Sequence, residues 1–231
     1  MLNIRGSFVV VDGPSGSGKD SLIRELGHRL QNLGVRLFQL SEEDLDPNRQ
    51  EILDVRERAK KAGRSGDLEM ATVLVRHRAD IYNEYAVQRM NEGEMVLANR
   101  GEPATLAYQT GRGELTMDDV WRMHRELNIA APNLVVVTTC KPQTAITREG
   151  SDRASSQIRG ERETGRGLSG KVTNETNAST AEKLHRRELI HKQYDMVSRF
   201  LEVKGVPVIN LNTEEMTISD EVSTVLGYLG F

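Results

Sequence analysis

The stretch GPSGSGKDS at residues 13–21 holds the first residues able to do chemistry. Gly13, Gly18 and Lys19 have the G-x-x-x-x-G-K spacing of a loop that wraps phosphates. Its glycines let the backbone come close, its N–H groups point at phosphate oxygens, and its lysine reaches the β and γ groups. Asp20 stands where such loops usually carry the Ser or Thr that helps hold Mg²⁺. A carboxylate about 4 Å from a phosphate oxygen costs roughly 4 kcal/mol at an effective dielectric of 20. Two arrangements avoid that cost. Asp20 points away while Ser21 or water serves the metal, or Asp20 itself helps hold Mg²⁺, an ion that suits carboxylates. Both predict ATP and Mg²⁺ as cofactors, held at Gly13, Ser15, Gly16, Ser17, Gly18, Lys19, Asp20 and Ser21, with Asp20 and Ser21 on the metal. The competing reading is a glycine-rich strand-to-helix turn that binds nothing.

Two further segments carry candidate chemistry. ANRGEPATLAYQ (98–109) directly follows an apolar run and sets Asn99 and Arg100 at its end. REGSDRASSQIRGERETGRGLSGKVTNETNAST (148–180) is rich in Arg, Gly, Ser and Thr and has almost no apolar residues. It predicts a mobile segment, either a plain surface loop or a lid that closes and brings arginines such as Arg153 to a polyphosphate.

These residues need a frame to hold them. SFVVV (7–11), MVLA (95–98), LVVVTT (134–139) and VPVINL (206–211) are apolar without alternation, and VRLFQL (35–40) is a weaker fifth run. Such runs suit strands covered on both faces. Helical patterns fall between them at 19–34, 67–93, 117–129, 181–205 and 219–230. In the first, Leu22, Leu26, Leu30 and Leu33 share a face. Strand and helix in alternation predict an α/β protein with a parallel sheet.

Composition narrows the class. The 231 residues suffice for one large domain, and a net charge of −3 argues against a nucleic-acid polymer as partner. A lone cysteine, Cys140, allows no internal disulfide, and the histidines show no metal-ligand spacing with it. No run approaches the roughly 18 apolar residues of a membrane span, so the expectation is a soluble, cytoplasmic protein. There is no N-K-x-D motif for a GTPase. GLSGK (167–171) is only a fragment of the L-S-G-G-Q of transporter ATPases.

DGPSGSGKDS resembles the loops of nucleoside monophosphate kinases, in which the hydroxyl often comes one place after the usual position, where Ser21 stands. NRGEPATLAYQ resembles the D-R-[YH]-x-x-S-x-x-A-Y-Q signature of the thymidylate kinase family, through Arg100, Thr105, Ala107, Tyr108 and Gln109. VRHRADIYNEYAVQRMNEGEMVLANR (75–100) resembles that family's A-D-R helix through Arg78, and GSDR (150–153) resembles the opening of its lid. The likeness runs from Phe8 to Leu229. It implies a three-layer P-loop NTPase fold with a five-stranded parallel sheet and an Arg-rich lid. It also implies transfer of phosphate from ATP·Mg²⁺ to a nucleoside monophosphate, and a homodimer. By matching position, Arg100 would touch the acceptor phosphate, Arg78 and Thr105 would read the base, and Tyr108 would pack on the sugar beside Gln109. Asp12, closing the first strand, would act as base on a sugar hydroxyl or simply cap the loop. Departures lie in Asn99 for Asp, Ser15 for an acidic residue, His77 for Asp, and Leu74 where Phe often stacks on thymine. LSEEDLDPNRQE (40–51) is acidic where a phosphate contact is expected.

The sequence therefore predicts a single kinase domain over 1–231 with a lid at about 148–180, acting on a deoxynucleoside monophosphate such as dTMP. Its catalytic set would be Lys19, Asp12, Arg100 and Arg153. Leu74, Arg78, Asn99, Arg100, Thr105, Tyr108 and Gln109 would bind the acceptor. Two alternatives stay open: a P-loop kinase of a nucleoside or another acceptor, and a nucleotide-binding regulatory module of weak activity.

Overall fold

A computed structural model describes residues 6–63, 66–149 and 180–231. Strand β1 (Phe8–Asp12) is buried along its whole length, as its unbroken apolar run demands. It leads through the phosphate loop into α1 (Lys19–Asn32). β2 (Leu37–Ser41), α2 (Glu42–Leu45), α3 (Arg49–Lys61) and α4 (Asp67–Ile81) follow. α4 continues through a π-helical turn (Tyr82–Ala86) into α5 (Val87–Asn91). Then come β3 (Met95–Asn99), α6 (Glu102–Gln109), α7 (Met117–Glu126), β4 (Leu134–Thr139) and α8 at 142–149. α9 (Thr180–Val203), β5 (Val208–Asn212) and α10 (Ile218–Leu229) complete the described chain.

The strands form one five-stranded sheet in the order β2-β3-β1-β4-β5, with every pairing parallel. Alternate β1 side chains feed opposite layers. Phe8 and Val10 pack with Val96, Val135 and helices α4, α6, α7 and α9. Val9 and Val11 pack with Leu22, Leu26 and Leu30 of α1 and Val222, Val225 and Leu229 of α10. The connection from β1 runs to β2 on one side of the sheet, whereas that from its neighbour β3 runs to β4 on the other. That reversal opens the crevice where such sheets bind ligands.

The five expected strands are present with ends shifted by at most two residues, and the α/β class is as read. Leu33 is the exception on α1: it caps the helix and is exposed, while its three partners are buried. Helix α3 lies inside a stretch with no helix foreseen; its buried side is narrow, Val55 and Ala59, with Val55 and the partly buried Ile52 packed with Met70 and Val73 of α4. Arg148 and Glu149, grouped with the lid, belong instead to α8. The rest of the lid, Arg153 included, lies outside the described residues. No described helix is long and apolar enough to cross a membrane.

Candidate active site at the phosphate loop

The loop after β1 is fixed from below. Gly13 has φ 151° and Gly16 has φ 80°; a Cβ on them would come within 2.4 Å of Thr138 O and 2.3 Å of Ala145 O. Ser17 Oγ lies 2.6 Å from Thr138 Oγ1, both buried, so this serine ties the loop to β4 and does not offer its hydroxyl outward. Among the described residues, the N–H groups of Gly16 and Gly18 have no acceptor. Open N–H groups at the start of α1 fit an anion.

Lys19 is buried and its Nζ stands 3.8 Å from Asp20 Oδ2. Asp20 is 73 % exposed at its side chain and accepts from Asn99 Nδ2 at 3.1 Å. Asn99 Oδ1 is buried with no partner among the described residues. Asp20 lines one cavity with Asn99 and the other with the exposed Ser21, and a carboxylate with an amide oxygen or a hydroxyl at hand is oxygen chemistry that suits Mg²⁺. That ion keeps most of its water and takes one or two protein carboxylates besides phosphate oxygens.

Two cavities flank the loop, and Lys19 and Asp20 line both. One, of about 370 Å³, is walled by Gly16, Gly18, Ser21, Arg148, Thr213, Met216, Ile218 and Glu221. The other, of about 380 Å³, reaches Asn99, Arg100, Leu74, His77, Ile81, Arg49, Arg56 and the acids Glu42, Glu43 and Asp46. A third space of about 570 Å³ shares Leu74 and Arg56 with the second and adds Tyr108, Gln109, Lys60 and Arg112. The residues grouped for the acceptor thus divide between neighbouring spaces. Asn99 and Arg100 sit by the loop, Tyr108 and Gln109 lie farther out, and Leu74 stands between.

Arg100 has φ 69°, an uncommon left-handed backbone for a side-chain-bearing residue. It precedes α6 and is not in a helix. Its Nη2 reaches Ser15 Oγ at 3.4 Å and its Nη1 stands 3.7 Å from Asp12 Oδ1. Asp12 is fully buried. It accepts from Gly13 N at 2.8 Å, Tyr194 Oη at 2.8 Å and Ala104 N at 2.9 Å. Burial raises its pKa, although Arg100, the Gly13 and Tyr194 hydrogen bonds and Lys19 pull the other way. These bonds join the loop, α6 and α9 through one carboxylate. Tyr108, 36 % exposed, meets Tyr194 edge to face at 6.2 Å.

Arg78 is 2 % exposed and lines none of these spaces. Its Nε and Nη2 donate to Glu42 at 2.5 and 3.0 Å, and its Nη1 donates to Thr105 Oγ1 at 3.0 Å and contacts His124 Nε2 at 2.6 Å. Burial and Arg78 hold His124 neutral, at about 3, so Nε2 accepts and Nδ1–H donates to Val120 O at 2.8 Å. The group facing the cavity from this cluster is Glu42. Beside it, buried His77 has a carboxylate at each ring nitrogen, Asp46 at 2.7 Å and Glu51 at 3.0 Å. Burial opposes its protonation, but those two hydrogen bonds prevail and raise its pKa.

Sequence reasoning missed Glu42, Arg56, Arg187 and Glu221. Arg187 on α9 donates to Ser15 O at 3.3 Å and pairs with Glu149 at 2.5 Å. Among the described residues Arg56 has no ion pair, and it lines two spaces. Glu42, Arg56 and Arg187 are each one charged residue among several in their helices, Glu221 sits beside Asp220 in an otherwise uncharged helix, and only the fold singles them out.

A parallel sheet with a glycine loop feeding α1, and with cavities on both sides of one lysine, defines a P-loop phosphotransferase. Residues 11–166 match the family model described as Thymidylate kinase. Similar proteins include the thymidylate kinases of Bacillus cytotoxicus (26 % identical over 155 residues, 65 % of this chain and 73 % of that one) and Limosilactobacillus fermentum (25 % over 151 residues, 64 % and 70 %). That of a Bradyrhizobium species is 27 % identical over 153 residues, 65 % of this chain and 67 % of that one. The chain belongs to the thymidylate kinase family, and with it to the nucleoside monophosphate kinases.

Proposed function

We propose that this enzyme moves the γ-phosphate of ATP to a deoxynucleoside monophosphate, with dTMP as the acceptor its relatives' names suggest. The carrying observation is that Lys19 and Asp20 line both cavities. A donor in the Arg148–Thr213 cavity and an acceptor in the Arg100 cavity would bring their phosphates together there. Phosphoryl transfer needs alignment and neutralised charge more than a covalent partner. In this reading the loop N–H groups and Lys19 hold the donor phosphates, and Arg100 meets the acceptor phosphate. Asp20, Asn99 and Ser21 would hold Mg²⁺, directly or through water. When bound, that ion neutralises charge building on the transferred group. Asp12 positions Arg100 and α6, and Arg78 positions Glu42. Arg153 stays in the proposal as a lid arginine, and a homodimer and a cytoplasmic location belong to it as well.

ADP release measured over a panel of deoxy and ribo monophosphates and free nucleosides tests this. Release that depends on a monophosphate, strongest with dTMP, is expected. Release that depends only on nucleosides, or on no acceptor at all, would overturn it.

A further inference from the structure

Glu221 is an unexplained carboxylate in the cavity on the donor side. It lies in the first turn of α10, after a capping box in which Thr217 accepts from Asp220 N. It takes no part in that cap, and its own backbone N–H donates to Thr217 O. The residue is 4 % exposed, it lines the cavity, and its Oε2 is buried with no hydrogen-bond partner among the described residues. A buried polar oxygen left unpaired costs about 1–3 kcal/mol, and no described residue donates to this carboxylate, which a donor entering the cavity would partner. Burial pushes its carboxyl up and the nearby Arg148 pulls it down. Arg148 is itself committed to Thr213, donating to Oγ1 at 2.7 Å and to the carbonyl at 3.1 Å.

The cavity has two ends of different character. Gly16, Gly18 and Lys19 form the end suited to phosphates, where a carboxylate would repel. Met216 and Ile218, next to Glu221, supply apolar surface for a flat ring or sugar. We propose that Glu221 reads the nucleoside half of the phosphate donor by accepting a hydrogen bond from it. The partner is an N–H or O–H, either the exocyclic amino group of adenine or a ribose hydroxyl. An acceptor-only group at that place, such as the 6-oxo group of guanine, would face the carboxylate unpaired. Glu221 thereby sets the choice of donor nucleotide. This rests on the reading of that cavity as the donor site.

Calorimetric titration of the full chain, with Mg²⁺ present, tests it. The probes are ATP, GTP, N6,N6-dimethyl-ATP, 2′-deoxy-ATP and 3′-deoxy-ATP, against wild type and Glu221→Gln. Wild type is expected to bind ATP at least about tenfold more tightly than the probes that lack the donor group, the worth of one hydrogen bond to a charged group. Weak binding of the dimethyl analogue and of GTP assigns the amino group; weak binding of a deoxy analogue assigns the hydroxyl. In Glu221→Gln, whose near-equal shape keeps the cavity, that preference should shrink severalfold. If wild type binds every probe alike, or the preference survives in Glu221→Gln, the proposal is overturned while the donor site stands. If no triphosphate binds, the donor reading falls and takes the proposal with it.

Discussion

The two cavities that meet at Lys19 are built by opposite means. The donor side is made largely of backbone: a loop whose glycines are pressed against Thr138 and Ala145 and whose N–H groups at Gly16 and Gly18 are open. The acceptor side is made of side chains that hold one another. Arg78 is bound to Glu42, Arg49 to Glu43, and His77 to Asp46 and Glu51. A backbone cradle answers to any triphosphate tail. A web of paired charges can be retuned one residue at a time, and three of the departures from the family's pattern, His77, Asn99 and Leu74, stand on this side, while Ser15 and Asp20 lie in the loop itself.

The largest expected effect falls on the web. Glu42→Ala leaves a buried guanidinium with its main counter-charge gone, and should cost about 3–5 kcal/mol of stability in urea unfolding. An equal loss from Lys19→Ala would erase the contrast between the two sides. Lys19→Ala should act on rate instead, lowering kcat by about 10²–10³ because a positioned charge on the transferring group is gone. An unaltered kcat would remove the loop from the mechanism.

Arg100→Ala comes next. One charge-assisted hydrogen bond contributes about 1.5–3 kcal/mol, so acceptor kcat/KM should fall roughly 10- to 150-fold. ATP affinity without acceptor should hold. Arg100→Gly, which suits the left-handed backbone, should show the same kinetic loss with better stability. A loss of ATP affinity in either variant would place Arg100 on the donor side.

Acid sensitivity sharpens the comparison further. His124 stays neutral in the folded protein down to about 3, whereas an unfolded histidine takes up a proton near pH 6.5. The unfolded state therefore binds more protons across that window, and stability falls as pH drops from about 6.5 toward 3. His124→Gln should flatten this limb in a stability–pH series; an unchanged slope would mean that another group sets it. The smallest effect belongs to Asp20→Asn. Exposed charges contribute below about 1 kcal/mol, so the half-saturating Mg²⁺ should rise only about two- to fivefold. Superimposable titrations would take Asp20 off the metal.

The same contrast explains what could be read in the sequence. The phosphate loop was legible because a backbone cradle demands glycines at fixed spacing between a strand and a helix, and β1 and α1 supply both ends. The sheet was legible because strands buried on both faces are continuous apolar runs, as in LVVVTT. The acceptor side was only half legible. Arg78 and Thr105 were picked out and do meet, but Arg78 meets Glu42 first, across 36 residues of chain. No local pattern announces such a pair. Helix α3, which carries Arg49 and Arg56 to the cavity, shows so narrow an apolar side that its period is lost among charges. The lid reading, with Arg153, lies outside the described residues.

The central claim is that phosphate crosses from one cavity to the other at Lys19. Phosphorus NMR of ATP, Mg²⁺ and dTMP with the enzyme tests it most directly. The β-phosphate signal of a new deoxynucleoside diphosphate should rise in step with that of ADP, and neither should rise when the monophosphate is left out. ADP and inorganic phosphate appearing at the same rate with or without dTMP or any other monophosphate would contradict it.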